Sequence, residues 1–142
     1  WENERFEADV EIPGAVAATW ALPDGRWAVV TSAVRSAALR RLARLGFPGI
    51  GTLIAAEHVE RGKPDPEPFE RGARALGADP SACVVFEDSD AGVRAGLASG
   101  ARVVVVGGLE TEATQGLARV PDMRAVSFAA APAGVQVTLT YP

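Results

Sequence analysis

Four short apolar runs punctuate the middle of the chain without alternating: Trp27–Thr31, Gly51–Ala56, Cys83–Phe86 and Ala101–Val106. Runs of that length, bounded by turn residues, read as strands buried on both faces. Between them the apolar residues shift to helical spacing. Ala33–Leu45 puts Val34, Ala38, Leu42 and Leu45 on one stripe, with Ser32 placed to cap it and Gly46 to end it. A helix is predicted from Pro68 to Leu76, stopped by Gly77, and another carries Ala91, Val93, Ala95, Leu97 and Ala98 after the acidic pair Glu87-Asp88. Upstream, Pro13-Gly14 opens an Ala-rich helix, Ala15–Leu22, which Pro23-Asp24-Gly25 turns away. Trp1–Val10 is a polar, acidic lead-in, and Glu57–Pro68 is a loop rich in Pro, Gly and charge. Downstream, Glu112–Arg119 predicts a last helix and Ala125–Phe128 a short strand. Val135–Tyr141 alternates, which marks an edge or antiparallel strand. Strands alternating with helices imply an α/β domain: a mainly parallel sheet with helices on both faces, a three-layer sandwich.

Composition narrows the class. The 142 residues are 48% hydrophobic and 23% charged, which suits one folded domain with a real core. A net charge of −4 and a pI near 5.0 exclude the basic footprint that nucleic acid requires. No apolar run approaches the roughly 18 residues of a membrane span, and the acidic opening does not read as a signal peptide. A single cysteine, Cys83, rules out a disulfide framework and is expected to be inert core, so a reducing, cytoplasmic setting is expected. Residue 1 is Trp and the only methionine is Met123, so the chain is expected to be part of a longer product. Lys63 is the only lysine among fourteen basic residues.

The candidate chemistry lies at predicted strand ends. Thr31-Ser32 offers a hydroxyl and the backbone N–H groups of a helix start, which favour an anion. Lys63, in Arg61-Gly62-Lys63-Pro64-Asp65-Pro66, offers a point charge of the kind that grips phosphate. Glu87 and Asp88 repel each other at the tip of a buried strand, and a cation neutralises them. Oxygen donors with no His or Cys beside them favour magnesium over zinc. Each feature has a plainer reading, as a helix cap, a loop or a solvated turn. Together they supply what phosphoryl transfer needs, which is mostly positioning and charge neutralisation.

On these residues the chain resembles the haloacid dehalogenase superfamily, in its capped phosphatase and phosphomutase branch. Ala28-Val29-Val30-Thr31-Ser32 is similar to the second motif of that family. Gly62-Lys63-Pro64-Asp65-Pro66-Glu67-Pro68-Phe69 is similar to the third, and Val84-Val85-Phe86-Glu87-Asp88-Ser89-Asp90-Ala91-Gly92 to the fourth. The likeness runs from about Ile12 to Val106. Pro121-Asp122-Met123-Arg124-Ala125-Val126 adds a likeness to its sugar-phosphate and glycerol-3-phosphate phosphatases. The resemblance implies a Rossmann-like core over residues 12–107, after a lead-in over 1–11 and before a C-terminal extension over 108–142. It implies that Thr31 and the Ser32 N–H contact phosphate, and that Lys63 neutralises it. Asp88 then ligates Mg2+, with Glu87 ligating it or holding its waters. Asp90 is expected to be a first-turn helix charge, His58 a surface or structural residue, and the Lys63-Pro64 bond a candidate for cis.

Relatives also carry Asp-x-Asp-Gly at an N-terminal strand tip, where the first Asp is the nucleophile and the second the general acid/base. The only Asp-Gly here, Asp24-Gly25, follows Pro23 in a turn. The nucleophile strand and the cap are therefore expected to lie outside these residues, the strand falling between those bearing Thr31 and Asp88. The expectation is the C-terminal part of a magnesium-dependent phosphatase of small phosphorylated metabolites, inactive alone, with the missing segment or another chain completing the sheet. Phosphatase against mutase stays open. The alternative is a non-catalytic phosphate-binding or interaction module. The order argues against a receiver-type signalling domain, since that runs acids, Thr, Lys and this chain runs Thr, Lys, acids.

Overall fold

A computed structural model describes residues 12–140. The expected lead-in over Trp1–Val10 and the end of the expected last strand, Tyr141, lie outside them. The chain runs α1 (Ala15–Trp20), β1 (Val29–Val30), α2 (Arg35–Leu45), β2 (Leu53–Ile54), α3 (Glu67–Ala75) and β3 (Val84–Glu87). It continues through α4 (Asp90–Ser99), β4 (Arg102–Val106), β5 (Ala118–Val120), β6 (Val126–Ala131) and β7 (Gly134–Leu139). The strands are parallel from β1 to β5, as unalternating runs require, and the alternating terminal strand is antiparallel to β6.

The core is built on β4. It pairs with β3 on one edge and β5 on the other, and it is buried on both faces. Val103 and Val105 face a cluster with Val85, Val93 and Ala101 beneath α4. Val104 and Val106 face the opposite cluster of Val120, Met123 and Val126, backed by α1 and the β6–β7 hairpin. Period-2 side-chain alternation on one valine run thus feeds two cores. Phe86 and Phe128 join hairpin to sheet edge-to-face, with centroids 5.8 Å apart.

The seam between α1 and the rest of that layer depends on Gly14. Met123 N–H donates to the Pro13 carbonyl at 3.0 Å, and Gly14 adopts φ +84°. A Cβ there would lie 2.5 Å from the Arg124 nitrogen and 2.8 Å from the Met123 carbonyl carbon. Left-handed strain and a backbone clash combine, so Gly14→Ala is expected to lower stability by about 2–4 kcal/mol. Urea unfolding at unchanged m-value is the check.

Three expectations need correction. The predicted helix Glu112–Arg119 is a single 3-10 turn, Glu112–Thr114, followed by β5. Gly116 takes φ +76°, which a right-handed helix cannot continue through, and the apolar residues after it fill the open edge of β4. Ser32 does not cap α2. The helix begins at Arg35, whose N–H donates to the Glu57 carboxylate at 2.8 Å, while the Thr31 hydroxyl accepts from Ala33 N–H at 3.1 Å. Cys83 is not core. It stands part-exposed just before β3, its thiol pushed up by burial and by Asp79.

The parallel strands form two pieces, β2-β1 and β3-β4-β5, which are not hydrogen-bonded to each other. Helices link them, since α3 packs on β1 and β2 and also on α4, which covers β3 and β4. No described helix is long and apolar enough to cross a membrane.

Candidate active site

The site assembles at the junction of the two sheet pieces. In β1, the amides of Val29 and Thr31 donate to β2 at the Thr52 and Ile54 carbonyls. Strand pleating therefore turns the Val30 backbone toward the opposite, unpaired edge. There its carbonyl accepts from Lys63 Nζ at 3.1 Å, and the same ammonium pairs with Glu87 Oε2 at 2.6 Å. Glu87 is the last residue of β3, so one side chain ties the two pieces together. The Phe69 ring lies 5.0 Å from Nζ and offers its face to the cation. The Lys63 and Glu87 side chains are only 11% and 9% exposed, which places the pair well outside the weak, solvent-screened class of surface ion pairs.

Glu87 is held from several sides. Its Oε1 accepts from Asp88 N–H at 3.2 Å, Ser89 N–H at 3.4 Å and the Ser89 hydroxyl at 3.2 Å. The Ser89 oxygen in turn accepts from Gly92 N–H at 3.1 Å and caps α4. Ser89 is thus the cap of α4, while Asp90 stands in its first turn. Gly92 lies directly under the Glu87 carboxylate, leaving no room for a methyl group.

Lys63 itself rides on a closed loop. Its bond to Pro64 is cis. The Glu67 carboxylate, at the start of α3, accepts from the Glu60 and Arg61 amides, each at 3.0 Å, and from Arg71 Nε at 2.7 Å. Asp65 N–H donates to the Gly62 carbonyl and Glu67 N–H to Asp65 Oδ1, closing the turn from inside.

The remaining candidates find definite places. Thr31 begins one residue beyond the carbonyl that Lys63 holds, and Asp88 follows the carboxylate it pairs with. All three predicted loops therefore meet at Lys63. The Thr31 loop is laced to the turn after β2 by Ala56 N–H on the Ala33 carbonyl, at 2.9 Å. His58 Nδ1 accepts from Ala55 N–H at 2.8 Å, a structural use of the only histidine. Asp90 binds the Thr111 hydroxyl at 2.6 Å and Arg94 at 2.8 Å, and these bonds hold its carboxyl below the usual range. It is a first-turn helix charge. Phe69, Glu67 and Gly92 stand inside quoted motifs without an assigned role. Only Gly92 left a signal, as a helix-weakening residue where Ala is ordinarily better.

Asp88 lines a surface cavity of about 450 Å3 together with Ile12, Pro13, Val106, Gly107, Gly108, Leu109, Pro121 and Asp122. Asp122 is engaged by Arg124, which holds its carboxyl low. Among the described residues no three His, Cys, Asp or Glu side chains converge as a metal-binding group. The donors at hand are two carboxylates lining the cavity, Asp88 and the Arg124-paired Asp122, and Glu87 beside Asp88, which is committed to Lys63. An all-oxygen set of one or two carboxylates, completed by water and phosphate, suits magnesium.

A family profile for haloacid dehalogenase-like hydrolases matches residues 1–100. Hexitol phosphatase A of Escherichia coli is 41% identical over 107 residues, covering 74% of this chain and 50% of that protein. Glycerol-1-phosphate phosphohydrolase 2 of Saccharomyces cerevisiae is 42% identical over 108 residues, covering 69% and 43%. The crystal structure of CbbY from Rhodobacter sphaeroides in complex with phosphate superposes with a TM-score of 0.65 at 27% identity, over 76% of this chain and 52% of that one. The chain spans about half the length of the relatives it matches.

Proposed function

The chain belongs to the haloacid dehalogenase-like hydrolases, and from that premise we propose that it forms the phosphate- and magnesium-gripping part of a phosphatase acting on small phosphorylated metabolites. The substrate class is a sugar, hexitol or glycerol phosphate, in line with the named activities of two relatives. The observation that carries the reading is Lys63 bridging the Val30 carbonyl and Glu87, the last residues of β1 and β3, with Thr31 and Asp88 next in the chain after each.

Thr31 and the Ser32 N–H bind the phosphoryl oxygens, Lys63 neutralises their charge, and Asp88 provides a carboxylate for magnesium. Glu87 holds Lys63 and the start of α4, close enough to take a water of the ion's shell. Bound magnesium would supply Lewis-acid neutralisation of the phosphoryl group. The nucleophile is an aspartate on a strand outside these residues, inserted between β1 and β3. Its carboxylate oxygen attacks phosphorus while the ester P–O bond breaks. The departing alkoxide takes a proton from a neighbouring acid, and water then releases phosphate from the aspartyl-phosphate. Lys63, held between the two sheet pieces, would offset the negative charge that gathers in that attack.

The 142-residue chain alone is expected not to hydrolyse p-nitrophenyl phosphate, yet to bind inorganic phosphate with magnesium in calorimetry, and Asp88→Ala should remove the magnesium dependence of that binding. Brisk magnesium-dependent turnover that survives Asp88→Ala would falsify both the site and the need for an outside nucleophile. Phosphate binding retained by the intact, full-length protein without turnover would favour a non-catalytic binding module.

A further inference from the structure

We propose that Glu67 is the positioning residue of Lys63, a staple that fixes the loop so the ammonium reaches the gap between β1 and β3. The inference rests on the phosphatase reading for its purpose, but its geometry stands separately. Lys63 is the tip of a loop whose two ends would otherwise be tied only through its inner turn. Glu67 joins them, because one carboxylate receives the amides of both Glu60 and Arg61 on the entering side while its own residue starts α3 on the leaving side. Two N–H donors on one charged acceptor are strong and directional. Arg71, one turn along α3, holds the carboxylate from behind at 2.7 Å.

The helix passes that order on to the sheet. A Cβ on Gly72 of α3 would lie only 3.1 Å from the Val30 side chain, so α3 rests almost directly on β1. The height of Lys63 above the Val30 carbonyl is thus set through Glu67 and α3, not by the loop alone. The carboxyl of Glu67 is held below its ordinary range, first by the Glu60 amide and then by Arg71. A depressed pKa means the staple is fully present above the unfolded-state value and is lost as pH falls through the folded one. No catalytic contact is assigned to Glu67. It acts through Lys63.

The chain carries a built-in reporter, since Lys63 is its only lysine. Incorporating 13C,15N-lysine gives one set of ε-methylene signals, inequivalent when the side chain is held and merged when it swings. In Glu67→Gln one end of the acceptor becomes a donor facing other donors. In Glu67→Asp the charge stays but the reach to both amides does not. Either variant should raise the hydrogen-exchange rate of the Glu60 and Arg61 amides about tenfold or more, as for a lost bond to a charged group, and should merge the Lys63 signals while the circular dichroism spectrum is unchanged. Lys63 signals that stay split once the amides have lost protection overturn the proposal. So do amides that keep their protection, or loss of the fold in both variants, which would make Glu67 a folding residue instead. Adding inorganic phosphate and magnesium to the unsubstituted chain tests the other half. Lys63 signals that ignore them sink the phosphate reading and leave the staple standing.

Discussion

Gly92→Ala is expected to destabilise the chain by about 3 kcal/mol and to release Lys63 from Glu87 in the same stroke. The added methyl would occupy the volume of the Glu87 carboxylate, the end of a side chain that only its hydrogen bonds and the Lys63 pairing hold in place. That carboxylate receives Asp88 N–H, Ser89 N–H, the Ser89 hydroxyl and the Lys63 ammonium, so moving it breaks several charge-assisted bonds together. Helix propensity alone predicts the opposite sign, because Ala is favoured over Gly in a helix by about 1 kcal/mol. The steric effect should win, since the first turn of α4 is clamped over β3 and cannot back away without opening the valine core beneath it. Urea unfolding gives the magnitude, and the lysine signal gives the release. A stabilised variant with Lys63 still held would contradict the packing.

Lys63→Met is the second. In a form of the protein joined to its nucleophile strand, kcat is expected to fall by about 10²–10³-fold, the usual effect of losing a group aimed at developing charge. The long apolar side chain keeps the contact with Phe69 but leaves Glu87 uncompensated between two sheet pieces. Breaking a buried pair by removing one partner costs about 3–5 kcal/mol, and the low exposure of both side chains puts this pair near that class. The double substitution Lys63→Met with Glu87→Gln should therefore recover much of the stability and none of the activity. Steady-state kinetics beside thermal unfolding separate the two effects. Full recovery of turnover in the double variant would remove Lys63 from the chemistry.

Much of the fold and of the site could be read in the residues themselves. Unalternating runs such as Ala101–Val106 announce burial on both faces, and β4 delivers it. The alternating end announces an antiparallel strand, and β7 is one. Three short motifs announced a hydroxyl, an ammonium and two carboxylates, and their loops do meet. The errors have a common physical origin. Glu112–Arg119 carries helical spacing, but the unpaired edge of β4 and the conformation of Gly116 outweigh a weak local preference. Ser32 has the chemistry of a cap, but a carboxylate twenty-five residues on, Glu57, reaches the helix start first.

Local pattern determined most of the segments that become strand or helix, Glu112–Arg119 excepted, and which residue types face the strand ends, because pleat and helical period act over a few residues. Only the tertiary structure decided which partner each polar group takes. Glu87 is drawn to Lys63 from 24 residues away, while Glu67 closes the lysine loop and Gly92 makes room through shorter links that matter only once that pairing exists. The Lys63–Glu87 pair owes its strength to burial, a property no single stretch possesses until the layers pack.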